Sequence, residues 1–285
     1  MNRPPLRKLA SSVGYHAFVL FFCFVLLYPL LWLVLGSFKS NTEILAMDNY
    51  QLWPSTFLTS NYVDGWKGFG SNTFGTFFWN SIVVTGLATV GTTLSCIVVA
   101  YGFARIKFKG SKIWFALMLG TMLLPGEILV IPRYIMFQKF QWINTYLPLV
   151  VPAWFAGSAF FIFLNVQFIR TLPTELDESA IIDGCSTYGV FAWIILPLTK
   201  PALISTLVIA GYWKWNEFFE PLLYLSRPKT FTVPLALRAF IDASSTTDYG
   251  QLFAMSTLSL VPVFLLFVFF NKFIVQGIST TGLKG

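Results

Sequence analysis

Charge is what this 285-residue sequence has least of: only 11% of its residues are Asp, Glu, Lys or Arg, against about 25% in soluble domains. A surface so poor in charge cannot face water. The chain, 56% hydrophobic and 18% aromatic, must instead meet lipid or other membrane helices. Histidine is nearly absent. A single His16 excludes a multi-His metal centre, and a proton relay would have no second imidazole to continue it. Its place at the start of the first apolar run suits an interfacial side chain. Three cysteines, Cys23, Cys96 and Cys185, are odd in number and scattered, which argues against a disulfide framework or a thiolate metal site. The G-x-x-x-x-G-K-[ST] phosphate loop is missing, so the chain carries no ATPase site of that kind.

Basic residues outnumber acidic ones, 19 to 12. They fall in short segments between apolar runs and form no basic helix face, so the excess points to membrane topology rather than nucleic acid. Six segments hold the roughly 20 apolar residues a membrane helix needs: Gly14–Phe38, Phe78–Arg105, Lys112–Ile131, Ile143–Phe168, Pro201–Leu225 and Gln251–Val275. The first follows Arg3, Arg7 and Lys8 like a signal peptide, but its charge-free stretch Ala17–Phe38 is too long and no A-x-A site follows. It is expected to stay as an uncleaved helix. Pro29, Pro125, Pro152 and Pro262 fall within helices, where neighbouring helices can re-satisfy the freed backbone groups. With the N-terminus inside, eleven Lys and Arg lie in inner segments and seven in outer ones, which places both termini in the cytoplasm. The compact cluster Arg105–Lys112 carries much of that bias.

Two connections are long: an outer segment, Lys39–Phe77, and an inner one, Arg170–Lys200. In the inner loop Thr174 can cap a helix whose first turn holds Glu175, Asp177 and Glu178, complementing the helix dipole. Leu176, Ala180 and Ile181 give it a partial apolar face, and Gly184 suits the left-handed position that ends a helix. Tyr188–Leu196 is apolar enough to lie along the membrane or return into it, and Pro197 and Pro201 break the chain before the fifth span. The helix could rest on lipid headgroups. An acidic helix is a poor partner for an anionic leaflet, however, and a capped helix on a short tether would move the fourth and fifth spans as a unit if a partner pushed it.

The run Glu178-Ser-Ala-Ile-Ile-Asp183-Gly184, followed by Ile195-Leu196-Pro197 and Pro201, resembles the "EAA" loop of ABC importer permeases, E-A-A-x-x-D-G and then I-x-L-P. Ser179 departs from the usual Ala but is also small. Trp215-Asn216-Glu217-Phe218, Pro221-Leu-Leu, Thr232-Val-Pro234-Leu, and Pro125-Gly126-Glu127 with Ile131-Pro132 are similar to the carbohydrate-importer branch. The tail Gly277–Gly285 resembles the end of the second permease subunit of maltose-type importers. The resemblance spans residues 78–285. It implies an all-α type I importer permease fold with six transmembrane helices and a cytoplasmic coupling helix. It also implies a homologous permease partner, two ATPase subunits that use ATP and Mg, and an extracellular binding protein. The chain itself would need no cofactor and break no bond. Glu178, Ala180, Asp183, Gly184, Leu196 and Pro197 would couple to an ATPase, with Thr280–Gly285 as a weaker contact. The expected organisation is then residues 1–77 as tail, first helix and outer loop, residues 78–276 as the core, and residues 277–285 as a cytoplasmic tail.

Ionisable groups at membrane depth are costly and usually face a cavity or bundle interior. Glu127, Lys214 and Glu217 are such groups. With Trp213, Trp215 and Asn216 they are expected to line or gate a sugar path. The alternative is a structural pair, Lys214 with Glu217 at i, i+3 spacing or with Glu127, that holds helices in register. The expected function is import of a sugar, an oligosaccharide or glycoside, across a bacterial inner membrane. A polyol or peptide cargo keeps the same mechanism. An ion-coupled secondary transporter would need corresponding broken helices in two halves, and no repeat is evident. A membrane enzyme would need Glu127, Glu217 and Asp183 to meet, although the first two are outer and the third inner in this topology.

Overall fold

The computed structural model describes residues 6–46, 51–242 and 248–282, and the described residues form an all-helical fold with no strand. In chain order the helices are α1 (Leu6–Gly36), α2 (Asn41–Leu45), α3 (Ser60–Trp66), α4 (Phe74–Arg105), α5 (Ser111–Thr121), α6 (Val130–Lys139), α7 (Leu147–Val150), α8 (Ala159–Thr171) and α9 (Glu175–Ile182). There follow α10 (Thr187–Gly189), a π-helical stretch Val190–Ile195, α11 (Leu196–Leu198), α12 (Lys200–Trp215), α13 (Phe219–Tyr224), α14 (Val233–Asp242) and α15 (Tyr249–Gly282). Among the described residues four spans are long and apolar enough to cross a membrane: Gly14–Gly36, Phe74–Arg105, Leu147–Thr171 and Tyr249–Phe270. Two bent pairs, Ser111–Thr121 with Gly126–Lys139 and Thr187–Leu198 with Lys200–Trp215, bring the number to six when each is taken as one span.

The bends correct three sequence-predicted helices. The third span does not run straight through Ile131. It stops at Thr121 and turns by 95° before Gly126–Lys139. Pro125, at φ −58° and ψ 129°, removes an amide donor and disfavours helical geometry in the residue before it. The fourth span is interrupted between α7 and α8. A 3-10 turn, Val151–Phe155, leads to Ala156 at φ 54°, a left-handed conformation that stops helix propagation. The fifth breaks at Asn216, after α12 ends at Trp215, and α13 begins only at Phe219, rather than the helix continuing to Leu225. Pro29 and Pro262, by contrast, lie within α1 and α15.

The chain divides into two compact units. Residues 1–74 and 237–260 form one, and residues 75–236 and 261–285 the other. In the first, Asn61 Nδ2 donates to the carbonyls of Ser37 and Lys39, both at 2.9 Å, and Tyr249 N donates to Asn41 Oδ1 at 2.7 Å. Lys39 is fully buried, its ammonium bonded to the Gln51 carbonyl and 4.7 Å from the Trp32 ring.

In the second unit polar side chains join helices where water cannot. Asn80 Nδ2 reaches the Lys229 and Phe231 carbonyls at 2.9 Å each, and Ser81 Oγ accepts from Val233 N at 2.8 Å. Buried Asn165 on α8 donates to Thr206 Oγ1 on α12 at 3.0 Å, and Ser95 Oγ on α4 donates to the Ala153 carbonyl at 2.9 Å. Such bonds hold spans together where both surroundings are apolar. Around them lies a core of Ile97, Ala100, Tyr101, Phe161, Val166, Ile169 and Ile195 that also takes in Ala180 of α9.

Candidate functional site

The loop between α8 and α12 is built on the end of α4. Helix α9 begins with three acids in its first turn, Glu175, Asp177 and Glu178. Thr174 takes the N-cap position through its backbone, but its side chain makes no cap bond, so the expected hydroxyl cap is not formed. At the other end Gly184 sits at φ 83°. Gly184 N donates to the Ile181 carbonyl at 3.0 Å and Cys185 N to the Ala180 carbonyl at 2.9 Å. These are the two bonds of a Schellman stop, with Gly184 in the left-handed position expected of it.

Three contacts fix this helix to the bundle. Arg105, the last residue of α4, places Nε 3.1 Å from Asp177 Oδ2. One of its terminal nitrogens donates to the Leu172 carbonyl at 2.8 Å. Tyr101, one helical turn earlier, donates its hydroxyl to the Thr187 carbonyl at 3.1 Å and lies 4.9 Å from the Phe191 ring. Ala180 is 8% exposed and packs into the core. A side chain longer than methyl would push the helix away at that point. The Arg105–Asp177 pair is an ion pair without a well-aimed hydrogen bond, since Nε and Asp177 Oδ1 both lack a hydrogen-bond partner. Burial pushes the Asp177 carboxyl above its usual range; the Arg105 guanidinium opposes this, and the Glu178 charge adds to the rise.

The outward side of the loop carries several apolar side chains. Leu176, Ile181, Ile182 and Tyr188 are exposed, Ile182 and Tyr188 by 85% and 86%. Only Ala180 of the predicted apolar stripe turns inward. Glu178 and Asp183 are exposed, Leu196 is half-buried and opens α11, and Pro197 follows it there.

A second feature is a cavity of about 490 Å³ between the broken fourth span, α6, α12 and α13. Its walls include Phe137, Trp142, Phe155, Phe161, Trp213 and Tyr224, with Arg133, Lys214 and Glu220 supplying charge. Lys214 Nζ lies 2.9 Å from Glu220 Oε2, and Arg133 lies 3.9 Å from Glu220 Oε1. Trp213 is propped by Phe160 and Phe161, with ring centroids at 5.3 and 5.2 Å. Aromatic faces beside charged hydrogen-bonding groups can hold a polyhydroxylated solute.

Of the sequence-predicted path residues, Trp213 and Lys214 line this cavity and the others do not. Lys214 pairs with neither Glu217 nor Glu127. The chain leaves the helix at Asn216, so i, i+3 geometry no longer applies. Glu217 instead folds back, its Oε1 accepting from Phe219 N and Glu220 N at 3.2 and 3.3 Å to start α13. Asn216 Nδ2 bonds the Tyr212 carbonyl at 2.8 Å. Trp215 is buried, 5.8 Å from the Phe78 ring. Glu127 is exposed in the turn after Pro125. Sequence reasoning missed Arg133, Glu220, Arg105 and Tyr101. Glu220 carried a signal, an acid beside Pro221 in an otherwise apolar run, and Asp177 was read only as a dipole acid. Among the described residues no group of three His, Cys, Asp or Glu is placed to hold a metal. The segment Thr280–Gly285 lies outside the described side chains and, past Gly282, outside the described residues.

Comparison with known proteins bears on both features. Residues 96–280 match the family of binding-protein-dependent transport system inner membrane components. The chain is 34% identical over 284 residues to the arabinooligosaccharides transport system permease protein AraQ of Halalkalibacterium halodurans, covering 99% of this chain and 98% of that protein. It is 30% identical over 289 residues to the trehalose/maltose transport system permease protein MalG of Thermococcus litoralis, with full coverage of both. The fold matches a crystal structure of a bacterial ABC transporter involved in import of the acidic polysaccharide alginate, with TM-score 0.81, 17% identity, and coverage of 95% of this chain and 99% of that one. The matched region contains the loop helix, its Schellman stop and most of the cavity lining, and this chain belongs to the family of binding-protein-dependent transport system inner membrane components, the permease subunits of ABC transporters.

Proposed function

We propose that the chain is the permease subunit of an importer for an oligosaccharide, working beside a second permease, above two ATPases that use ATP and Mg, and receiving its cargo from an extracellular binding protein. The observation that carries the reading is the α9 helix, fixed by Arg105 and Ala180 on one side, with Tyr101 holding α10 just after it, and presenting Ile181 and Ile182, with Tyr188 of α10, on the other. A rigid helix with an apolar outer tip transmits displacement from a partner that grips it. Glu178, Asp183 and Gly184 frame that tip, and Leu196 and Pro197 join it to the fifth span. The relatives named for arabinooligosaccharides and for trehalose and maltose support a sugar cargo. The Lys and Arg distribution supports a cytoplasmic loop and cytoplasmic termini, with residues 1–77 preceding the core 78–276 and a tail at 277–285. The cavity bearing Trp213 and Lys214 is part of the path in this reading, whereas Glu127, Trp215, Asn216 and Glu217 shape the helix ends around it.

The test is uptake by proteoliposomes holding the chain with its co-encoded partners. Labelled oligosaccharide is expected to accumulate only with binding protein outside and ATP inside. Ile182→Cys is expected to cross-link to the ATPase, since that side chain is exposed whereas Ala180 is not. Uptake driven by an ion gradient without ATP would overturn the reading.

A further inference from the structure

At the end of the bundle that carries α9, a second, smaller pocket of about 290 Å³ opens between the C-terminal ends of α4 and α8 and the start of α5. It is lined by Phe103, Ser111, Lys112, Phe115 and Arg170. Phe103 and Phe115 meet edge to face, ring centroids 5.4 Å apart, and form an apolar floor. The Arg170 guanidinium lies 5.1 Å from the centre of the Phe115 ring. That contact sets the cation against the aromatic floor. Lys112, which is exposed, also lines the pocket. Among the described residues neither cation has a carboxylate within ion-pair distance, in contrast to Arg105 one loop away, which has Asp177. Lys107 and Lys109 stand in the same loop, also exposed and without ion-pair partners.

All three flanking helices belong to candidate membrane spans and reach their ends here. The pocket therefore lies at the depth of the lipid headgroups. It combines two aromatic rings with two cations that have no carboxylate within ion-pair distance. Topology alone would explain cations in this loop. It would not explain an arginine laid across a phenylalanine in a pocket that a second cation also lines. A phosphate oxyanion suits a pocket that Arg170 and Lys112 both line, and a fork of N–H donors recognises it better than a point charge does. The aromatic floor suits the glycerol and first methylenes of a lipid and offers nothing to a free ion.

We propose that Lys112 and Arg170, over the Phe103–Phe115 floor, bind the phosphate of an anionic phospholipid at the coupling-loop end of the bundle. The site would tie the ends of α4, α5 and α8 to the leaflet beside the loop helix, and it is independent of which solute is carried.

The test is native mass spectrometry of the full chain in detergent, titrated separately with phosphatidylglycerol, phosphatidylcholine and inorganic phosphate. Each interfacial cation is worth about 5-fold in affinity for an anionic surface. The Lys112→Gln, Arg170→Gln double variant is therefore expected to bind phosphatidylglycerol roughly 25-fold more weakly, with phosphatidylcholine adducts unchanged. Arg227→Gln with Lys229→Gln removes the same charge at the opposite end of α4, where Asn80 holds the Lys229 carbonyl, and is expected to leave phosphatidylglycerol binding intact. If the double variant fails to fold, Lys112→Gln alone, a change at an exposed residue, must still lose about 5-fold. Equal phosphatidylglycerol affinity in wild type and variant would overturn the site. An equal loss in the distal control would reduce it to general charge attraction, and displacement of the lipid by millimolar inorganic phosphate would assign it to the free ion instead.

Discussion

Arg105 and Asp177 meet at 3.1 Å with side chains only 7% and 15% exposed, joining the last residue of α4 to the first turn of the loop helix. Two residues that local sequence places in separate roles, one as a topology charge and one as a helix-dipole acid, form a single clamp. Buried pairs of this kind fix register more than they stabilise. The clamp accordingly sets where α9 stands, and in the proposed mechanism a displacement of the loop would pass through it to the bundle.

Removing the two partners should not cost the same. Arg105→Gln loses the ion pair and the bond to the Leu172 carbonyl, and it leaves a buried carboxylate uncompensated, a loss of about 3 kcal/mol. Asp177→Asn leaves Arg105 bonded to that carbonyl and should cost about 1 kcal/mol. Denaturant titration of the purified full chain measures both. Equal costs would mean that Arg105 acts through Asp177 alone.

The pH dependence of the Arg105→Gln defect follows from the direction of the Asp177 shift. Burial already raises this carboxyl above its usual range, and Arg105 is the group that opposes the rise. Without Arg105 the folded-state pKa climbs further, whereas the unfolded value stays ordinary. An acid whose folded pKa is raised adds stability below its unfolded pKa and loses it as pH rises through the folded one. The deficit of Arg105→Gln relative to wild type is therefore largest at neutral pH and shrinks on acidification, as the neutral acid ceases to need a cation. Melting temperatures of both proteins between about pH 7 and pH 4.5 check this, and a deficit that grows on acidification would refute the burial argument.

The number of spans and the loop helix were legible because each depends on local pattern: apolar length for the spans, and acids followed by glycine for the helix. Gly184 is left-handed as its position after Ile182 and Asp183 implied. The breaks were not legible from residue type alone. Pro29 and Pro262 ride inside helices, yet Pro125 sits at a 95° turn and Pro152 in a 3-10 segment. Each of the latter pair is followed within five residues by a glycine, Gly126 and Gly157, so lost donors and loose backbone coincide. The ion pairs failed for a related reason. Spacing rules for Lys214 and Glu217 assume a continuous helix, and this one ends at Trp215. Glu220 then takes the place assigned to Glu217, through a turn that no periodicity encodes.

Gly184→Ala isolates the backbone contribution to the loop. A Cβ added there meets nothing within 4 Å, so the whole penalty comes from holding φ at 83°, about 1 kcal/mol for an L-residue in this region. ATP-driven uptake is expected to fall while the amount of chain in the membrane is retained. Gly184→Asn, which tolerates the left-handed region better, is expected to recover part of that uptake. Full activity in Gly184→Ala would show that the Schellman stop is dispensable for coupling.

Glu220 and Glu217 can be separated by the same substitution. A glutamine at 217 keeps the oxygen that accepts from Phe219 N and Glu220 N, so Glu217→Gln is expected to transport nearly as wild type. Glu220→Gln removes the one charge that faces both Lys214 at 2.9 Å and Arg133 at 3.9 Å. It leaves two cations against each other on an aromatic-lined cavity. All three side chains are partly exposed, which limits each pair to about 1 kcal/mol, or roughly 5-fold in rate or affinity. Initial uptake rates measured across substrate concentrations distinguish the outcomes. A 5-fold loss in Glu220→Gln, recovered in Glu220→Asp, supports a charge aimed into the path. A loss in Glu217→Gln with none in Glu220→Gln would restore the simple i, i+3 pairing to Lys214 and remove Glu220 from the site.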